Sequence, residues 1–187
     1  VLQPDGSIAA DEHTFWQTQF GPVVVPSPLI PWSLSTAYAL TDVNLEHDRA
    51  FRQYIEMGQA RDLGELRPAL ERHVGLPWVN TIAADSSGNA FYGDIGSIPN
   101  VTNAQLGICS KSPVAAHLAT LPLYALDGST SACDPGTDAD APVAGVFGAG
   151  NLPGLMRRDF VQNSNDSYWL ANPAERLEGF SGMSGAD

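Results

Sequence analysis

Near the C-terminus, the stretch RRDFVQNSNDSYWLANP, residues 157–173, concentrates hydrogen-bonding side chains. Apolar residues flank a polar run that consists of Gln162, Asn163, Ser164, Asn165, Asp166 and Ser167. A rigidly held amide N–H can stabilise the negative charge that develops on oxygen when a nucleophile attacks a carbonyl group. Asn, Asp and Ser also dominate turns, because their side chains bond their own backbone. The stretch therefore allows two interpretations, a solvated turn or an amide directed at a substrate.

The rest of the chain offers no complete catalytic set. It lacks the G-x-S-x-G elbow, the phosphate-binding loop and the dinucleotide fingerprint. Four histidines are scattered without the spacing of metal ligands, at positions His13, His47, His73 and His117. Carboxylates are plentiful, but the sequence does not pair any two of them across space.

The two cysteines, Cys109 and Cys133, stand in a stretch rich in Pro, Gly, Ser and Asp. A metal site would need more ligands, and only His117 is near. A disulfide would stabilise the fold by about 3 kcal/mol on the chain-entropy model. It would also indicate a secreted or periplasmic protein. Two buried free thiols are the alternative, because free Cys is often part of a core.

Composition limits the function classes. The 187 residues are 43% hydrophobic, which suits one globular domain, and the net charge is -12. Such acidity counts against binding to nucleic acid or to an anionic membrane surface. No apolar run approaches the roughly 20 residues that span a bilayer. The first residues, VLQPDGSIAADEH, have neither the basic nor the apolar part of a signal peptide.

Periodicity predicts two helices. An apolar face recurs through residues 45–60, with Asn44 as the expected N-cap. A second stripe runs through residues 62–74, with Asp62 as N-cap and Gly75 as terminator. Both helices would precede the strongest strand signal in the chain.

Strand signals predict antiparallel pairing. Two short extended runs in residues 13–25, broken by Gly21-Pro22, precede a loop over 26–35 and a strand over 35–43. A β-hairpin is predicted with strands 78–84 and 89–95 around an Asp-Ser-Ser-Gly turn at 85–88. Residues 100–153 show little periodicity and suggest an irregular excursion, after which residues 159–162 should re-enter a sheet. The expected fold class is α+β.

Three segments together resemble one family. They are FGPVVV with AYALTDVNLE, GLPWVNTIAADSSGNAFYGDIGSIPNV, and RRDFVQNSNDSYWLANP. In order and spacing they are similar to the β subunit of the penicillin acylase family of N-terminal-nucleophile hydrolases. The likeness is strongest to its long-chain acylases, of the aculeacin, acyl-homoserine lactone and pyoverdine types. It covers nearly the whole chain.

The resemblance implies a fold, a reaction and partners. Residues 1–187 would be a partial domain, an internal fragment of the β subunit within a four-layer αββα sandwich. The nucleophile would be an N-terminal Ser outside this chain, with its own α-amine as base. The partners would be the rest of the β subunit, the α subunit of the same precursor, and an acyl-amide or lipopeptide substrate. The fragment alone would be inactive.

The resemblance also assigns site residues. Asn165 matches the asparagine whose side-chain N–H binds the oxyanion, with Gln162, Asn163, Asp166 and Ser167 orienting it. Trp78, Val79 and Tyr54 match positions that line the acyl pocket, although Trp78 could be hairpin core and Tyr54 helix core. No residue matches the family's calcium ligands, so no metal or cofactor is expected.

A different class of function also fits the composition. A secreted β-rich module that binds ligands without catalysis would explain the acidity, the cysteines and the missing nucleophile. The three-segment match counts against it. Within the acylase interpretation, the head group could belong to a lipopeptide antibiotic, a homoserine lactone or a penicillin.

Overall fold

The computed structural model describes residues 2–45, 47–77, 79–121, 123–165 and 167–185. Trp78 and Asp166, both named above, lie outside the described residues. The chain divides into two compact units, Val1–Asp42 and Val43–Asp187.

The N-terminal unit contains a two-stranded hairpin. Strands β1 (Gln17–Thr18) and β2 (Gly21–Pro22) pair antiparallel, so Gly21-Pro22 forms a strand where a break was predicted. Gly21 has a φ of 126°, and the Leu40 carbonyl occupies the space that a Cβ would need. That close approach, together with the positive φ, explains why glycine is required at position 21.

The strand predicted over residues 35–43 is wrong. It is reduced to one bridge, in which Ala39 faces Val23. Two backbone hydrogen bonds flank this bridge, from Val24 to Tyr38 at 2.7 Å and from Leu40 to Pro22 at 2.9 Å. None of the described residues 2–42 is fully buried, so this unit has little core of its own to extend the pairing.

The second unit begins with two packed helices, α1 (Arg49–Gln59) and α2 (Leu63–His73). For α2 the predicted N-cap is confirmed, because the Asp62 carboxylate accepts from the backbone N–H of Glu65 at 3.0 Å. The predicted terminator Gly75 is wrong, because Val74 takes the left-handed C-cap position, with φ at 42°. For α1 the predicted start is wrong. Asn44 is not its cap, because the Asn44 side-chain oxygen instead accepts from Ser97 at 2.7 Å.

A three-stranded antiparallel sheet follows, with strand order β3-β4-β5. Strands β3 (Thr81–Ala84) and β4 (Ala90–Gly93) form the predicted hairpin, shorter at its ends, around a turn closed by Asp85. The third strand, β5 (Gly154–Arg157), pairs with β4. The predicted strand at 159–162 is therefore wrong. The chain leaves the sheet at Asp159, whose carboxylate bonds the Arg157 side chain and the Phe160 backbone.

Residues 100–153 are less irregular than predicted. They contain the helices α3 (Asn103–Cys109) and α4 (Pro113–Leu118). Thr102 and Gln105 form a capping box at the start of α3, while Ser112 caps α4. These local caps compensate for the weak periodicity of such short helices.

A disulfide joins Cys109, at the end of α3, to Cys133 across a sequence separation of 24. The two Cα atoms are 5.7 Å apart. The alternative of two free thiols is therefore wrong. The bridge ties the segment between the two cysteines back onto α3.

The core lies on both faces of the sheet. Consecutive side chains of a strand point to opposite faces, so Phe91 and Tyr92 of β4 enter different clusters. Phe91 packs with residues of α2 and the neighbouring loops: Leu63, Leu70, Val74, Leu76, Ile95, Phe147 and Leu152. Tyr92 packs with Leu155, Tyr168 and Ala171. Burial on both sides makes β4 the rigid centre of this unit.

These elements are those of an α+β protein, with mixed helices, antiparallel sheets and one disulfide. Among the described residues, no helix has the length and apolarity that crossing a bilayer requires.

Candidate functional site

The predicted oxyanion residue lies in a loop beside the β3–β4 hairpin. We call residues 162–165 the Asn165 loop. It follows the point where the chain leaves β5 and precedes a short 3-10 helix at Tyr168–Leu170. Asn165 is exposed and has no regular secondary structure. A polar loop supported by a packed sheet is a common place for a functional group.

Asn165 adopts a left-handed backbone conformation, with φ at 57°. Its backbone N–H donates to the side-chain oxygen of Asn163 at 2.7 Å. An Asn that accepts from the residue two places ahead forms an Asx turn, and Asn tolerates the left-handed region better than most residues. The turn interpretation of the polar run is therefore satisfied by Asn163, which leaves the carboxamide of Asn165 for another use.

No hydrogen bond within the described part of the chain engages the Asn165 carboxamide. Its N–H groups are neutral donors at an exposed position on a loop whose backbone is fixed by a side chain. An amide in this state can donate to an anionic oxygen. This is the chemistry that an oxyanion site requires.

A chain of polar side chains connects the Asn165 loop to the sheet. The Asn163 side-chain nitrogen donates to the Asn80 side-chain oxygen, across 83 positions of sequence. The Asn80 nitrogen donates in turn to the Tyr92 hydroxyl oxygen at 3.3 Å. Tyr92 lies on the central strand and is only 2% exposed. The loop is thus bonded, through two amides, to a buried side chain of the core.

The ends of the loop are held by separate contacts. Gln162 donates from its backbone N–H to Ala171 and from its side chain to Leu170, both at 2.9 Å. Asn172 is completely buried, donates to the Phe160 carbonyl at 2.8 Å and accepts from Ala174. These bonds close the segment from 160 to 172 onto itself.

Aromatic packing also supports the segment 160–172. Tyr168 is buried and meets Phe180 edge to face, with ring centroids 5.3 Å apart. Edge-to-face pairs add stability beyond their buried area. Tyr168 and Tyr92 belong to one hydrophobic cluster, so the segment that contains the Asn165 loop and the sheet pack on the same core.

The electrostatics near Tyr92 disfavour charge. Burial raises the pKa of the Asp94 carboxyl group to about 6. Burial, followed by the nearby Asp94 charge, raises the pKa of Tyr92 to about 12, against a smaller opposing effect of its bond with Asn80. Tyr92 is therefore a neutral hydroxyl throughout the physiological range. Its role in the chain of side chains is that of a fixed acceptor.

The predicted pocket residues are placed unequally. Val79 directly precedes Asn80 in the chain and is 46% exposed, so it lies next to a residue bonded to the Asn165 loop. Tyr54 lies on α1 and is 55% exposed. Among the described residues, no hydrogen bond or ring contact joins Tyr54 to the loop. Trp78 lies outside the described residues.

Sequence reasoning missed Asn80 and Tyr92. Both lie within the VNTIAAD–FYGD hairpin, but nothing in their types distinguishes them from hairpin core. Their connection to Asn163 exists only once β3 and β4 have brought distant positions together. In the described parts of the chain, no group of three or more His, Cys, Asp or Glu side chains is arranged to hold a metal ion.

Comparison with known proteins agrees with the resemblance. The family model of penicillin amidase matches residues 3–182. The chain belongs to this family.

Its relatives are acylases. Aculeacin-A acylase of Actinoplanes utahensis is 48% identical over 168 residues, which cover 90% of this chain and 21% of the relative. The acyl-homoserine lactone acylase PvdQ of Pseudomonas fluorescens is 40% identical over 187 residues, covering 100% of this chain and 23% of the relative. The PvdQ of Pseudomonas putida is 41% identical over 181 residues, with shares of 97% and 23%. The chain thus spans less than a quarter of the length of these relatives.

Proposed function

We propose that this chain is part of an amidohydrolase that cleaves the amide between a fatty or aryl acyl chain and a polar head group. The observation that carries the proposal is the state of Asn165. Its backbone is fixed by Asn163 and its carboxamide stands exposed beside the hairpin. A neutral donor on a backbone that is already fixed needs little reorganisation when charge appears on the substrate oxygen.

The nucleophile is an N-terminal Ser outside this chain, as in the family that the sequence resembles. Its hydroxyl oxygen attacks the amide carbon and gives its proton to the α-amine of the same residue. The C–N bond then breaks, and the amine leaves with a proton as the acyl group stays on Ser. Water hydrolyses this ester. Asn165 donates to the oxyanion in both halves of the reaction, because each passes through a tetrahedral state.

The substrate class is supported by the relatives. Their names refer to aculeacin-A and to acyl-homoserine lactones. We infer a substrate with a long apolar chain on one side of a linear amide, and a lipopeptide, homoserine lactone or β-lactam head group on the other. Val79, with Trp78 and Tyr54, lines the acyl site. Apolar side chains suit such a chain because burial contributes about 25 cal/mol per Å².

The chain works as a fragment of the β subunit. The rest of the β subunit and the α subunit of one precursor complete an αββα sandwich around the sheet described above. The exposed apolar side chains of this chain fit such an assembly, and the Cys109–Cys133 bridge fits a secreted or periplasmic enzyme. Residues 1–187 form one partial domain of that enzyme and are inactive alone.

The test is made in the complete enzyme. Asn165→Ala should lower kcat on a fatty-acyl amide by about 10²–10³-fold, the usual loss of one oxyanion donor. Ser164→Ala, one position away on the same exposed loop, is the matched control and should leave kcat within about twofold, as expected for a surface change with no such contact. A near-normal kcat in Asn165→Ala would remove this residue from the oxyanion site.

A non-catalytic secreted module is the competing proposal. Mass spectrometry and N-terminal sequencing of every polypeptide in the purified protein distinguish the two. The acylase requires a second chain that begins with Ser. A protein that contains this chain, lacks any N-terminal Ser and binds an acyl amide without cleaving it would favour the binding module.

A further inference from the structure

We propose that Asn80 and Asn163 are positioning residues for Asn165, acting through a hydrogen-bonded series that begins at Tyr92 in the core. The inference rests on the proposed function of Asn165. The series runs from the Tyr92 hydroxyl to Asn80, from Asn80 to Asn163, and from the Asn163 side chain to the backbone of Asn165. Each member is joined to the next by its own side chain.

The origin of the series is rigid. Tyr92 lies on the central strand β4, pairs across to Ile82 and Leu155, and is buried in the cluster with Tyr168. Its packing fixes the position of its hydroxyl group. Catalytic groups on loops need such support from neighbouring side chains, since small displacements weaken their action on a transition state.

The end of the series is the part that needs support. Asn165 is exposed and holds a left-handed φ of 57°, which an unsupported non-glycine residue adopts only at a cost. The Asn163 oxygen, which accepts the Asn165 backbone N–H, stabilises this conformation directly. Because Asn80 accepts from the other side of the same amide, it sets the orientation of the Asn163 side chain.

The residue types fit these roles. Asn163 accepts from Asn165 and donates to Asn80 at once, which requires a group with both an oxygen and an N–H at the same reach. A carboxylate lacks the donor, and a serine side chain is shorter than the Asn163 side chain that reaches Asn80. Asn80 likewise accepts with its oxygen and donates to Tyr92 with its nitrogen. The side-chain amides of Asn80 and Asn163 therefore each accept one hydrogen bond with the oxygen and donate one with the nitrogen.

The expected kinetic effect is specific. Asn165 acts on an oxyanion that exists only in the transition state, so its displacement should lower kcat and leave KM nearly unchanged. In the complete acylase, Asn80→Ala and Asn163→Ala should each lower kcat by about tenfold or more, because misplacement of a catalytic group by 1 Å can cost about 10²-fold. Asn163→Ser, which keeps the turn and loses the bond to Asn80, should fall between wild type and Asn163→Ala.

A double mutant separates positioning from a general loss of structure. If Asn80 acts through Asn165, Asn80→Ala should lower kcat further by less than about twofold in an Asn165→Ala background, because coupled residues are non-additive. The matched control is Asn89→Ala, at the opposite end of the same hairpin, where the side chain bonds Asp85. This variant should leave kcat unchanged even where it lowers Tm.

The possible failures are distinguishable. If Asn165→Ala itself keeps near-normal kcat, the proposed function of Asn165 fails and the positioning inference fails with it. If Asn165→Ala loses activity while Asn80→Ala keeps kcat within twofold, only the positioning inference is overturned. Full additivity in the double mutant, or an effect confined to KM, would overturn it as well. Thermal melting of every variant shows whether it is folded. The kcat of Asn163→Ser is compared with that of Asn163→Ala when the two variants have similar Tm values.

Discussion

The buried guanidinium of Arg49 donates a 2.7 Å hydrogen bond to the backbone carbonyl of Val74, the C-cap residue that follows α2. The same side chain also donates to the carbonyl of His73 at 3.0 Å. Burial lowers the pKa of Arg49 from its ordinary value. Arg49 therefore satisfies the last carbonyls of one helix from the first turn of another, which a cation at a helix C-terminus does favourably.

Arg49→Lys should lower the free energy of unfolding by about 2–3 kcal/mol, because an ammonium cannot reach several carbonyls with one planar fork and hydrogen bonds to charged groups contribute about 1.5–3 kcal/mol each. Urea unfolding of the complete enzyme measures it. Arg52→Lys, at an exposed ion pair with Asp48, is the control and should change stability by less than about 1 kcal/mol. Equal effects of the two substitutions would contradict the role given to Arg49.

The left-handed conformation of Asn165 allows its chemical and structural roles to be measured apart. Asn165→Gly removes the carboxamide but accepts a φ of 57° without strain, whereas Asn165→Ala removes the carboxamide and adds strain. Both should lower kcat about 10²–10³-fold. Only Asn165→Ala should lower stability, by about 1 kcal/mol relative to Asn165→Gly. If Asn165→Gly retained activity, the loop would need its backbone shape and not its amide.

Helix α1 exposes the face that its sequence makes apolar. Arg49 and Gln53 are buried, while Phe51 is 76% exposed and Ile55 is 62% exposed. If the rest of the enzyme covers this face, Phe51→Ala should lower the stability of the complete acylase by about 3 kcal/mol, the usual cost of truncating a buried Phe. Thermal melting measures the effect.

The neighbouring exposed residue provides the comparison for this face. Arg52→Ala, on the same turn of α1, should have an effect below about 1 kcal/mol. A Phe51→Ala enzyme that melted like wild type would show that this face stays in solvent.

Local signals explain which elements could be predicted. Helix α2 followed from its apolar stripe and Asp62, and the β3–β4 hairpin from its alternation and Asp85 turn. Helix α3 was not predicted, because seven residues are too few to show a helical periodicity of apolar residues. Thr102 and Gln105 have the spacing of a capping box. Such short helices depend on their caps and on the surrounding packing.

Long-range contacts explain the rest. Strand β5 forms because Leu155 and Met156 pair with residues of β4, more than 60 positions earlier. No local sequence pattern predicts that pairing. The inverted burial of α1 likewise depends on Arg49 and Gln53 finding backbone partners near Val74 and Gly75. At the candidate site, Asn165 could be named from its motif, whereas Asn80 acquires its place only through the bond to Asn163.

The disulfide offers a test on stability that is independent of the active site. Replacing Cys109 and Cys133 together by Ser should lower the free energy of unfolding by about 3 kcal/mol, as a closed loop of this length implies. Treatment of the wild type with dithiothreitol should lower the Tm by more than the same treatment lowers the Tm of the double Ser variant. Identical melting of wild type with and without reductant, with the bond shown to be broken, would contradict the expected contribution.

Asp94 predicts an unusual pH dependence. Its folded pKa of about 6 lies above the ordinary value of 3.8, so between these values the folded state holds the proton that the unfolded state has lost. The contribution of Asp94 to stability is therefore fully present below about 3.8 and is lost as the pH rises through about 6. At pH 7, ionised Asp94 should lower the free energy of unfolding by roughly 1 kcal/mol, after allowance for its partial exposure to water.

Asp94→Asn removes this titration. The variant should be more stable than wild type at pH 7.5, and the difference should shrink at pH 5, where Asp94 in the folded wild type is mostly protonated. Melting temperatures of both proteins across pH 4.5–8 measure the difference directly, because the other carboxylates titrate alike in the two chains and cancel. Asp127→Asn is the control, since its exposed carboxylate has a lowered pKa and bonds Ser129. A difference between Asp94→Asn and wild type that stayed constant across this range would show that Asp94 is ionised in the fold at all these pH values.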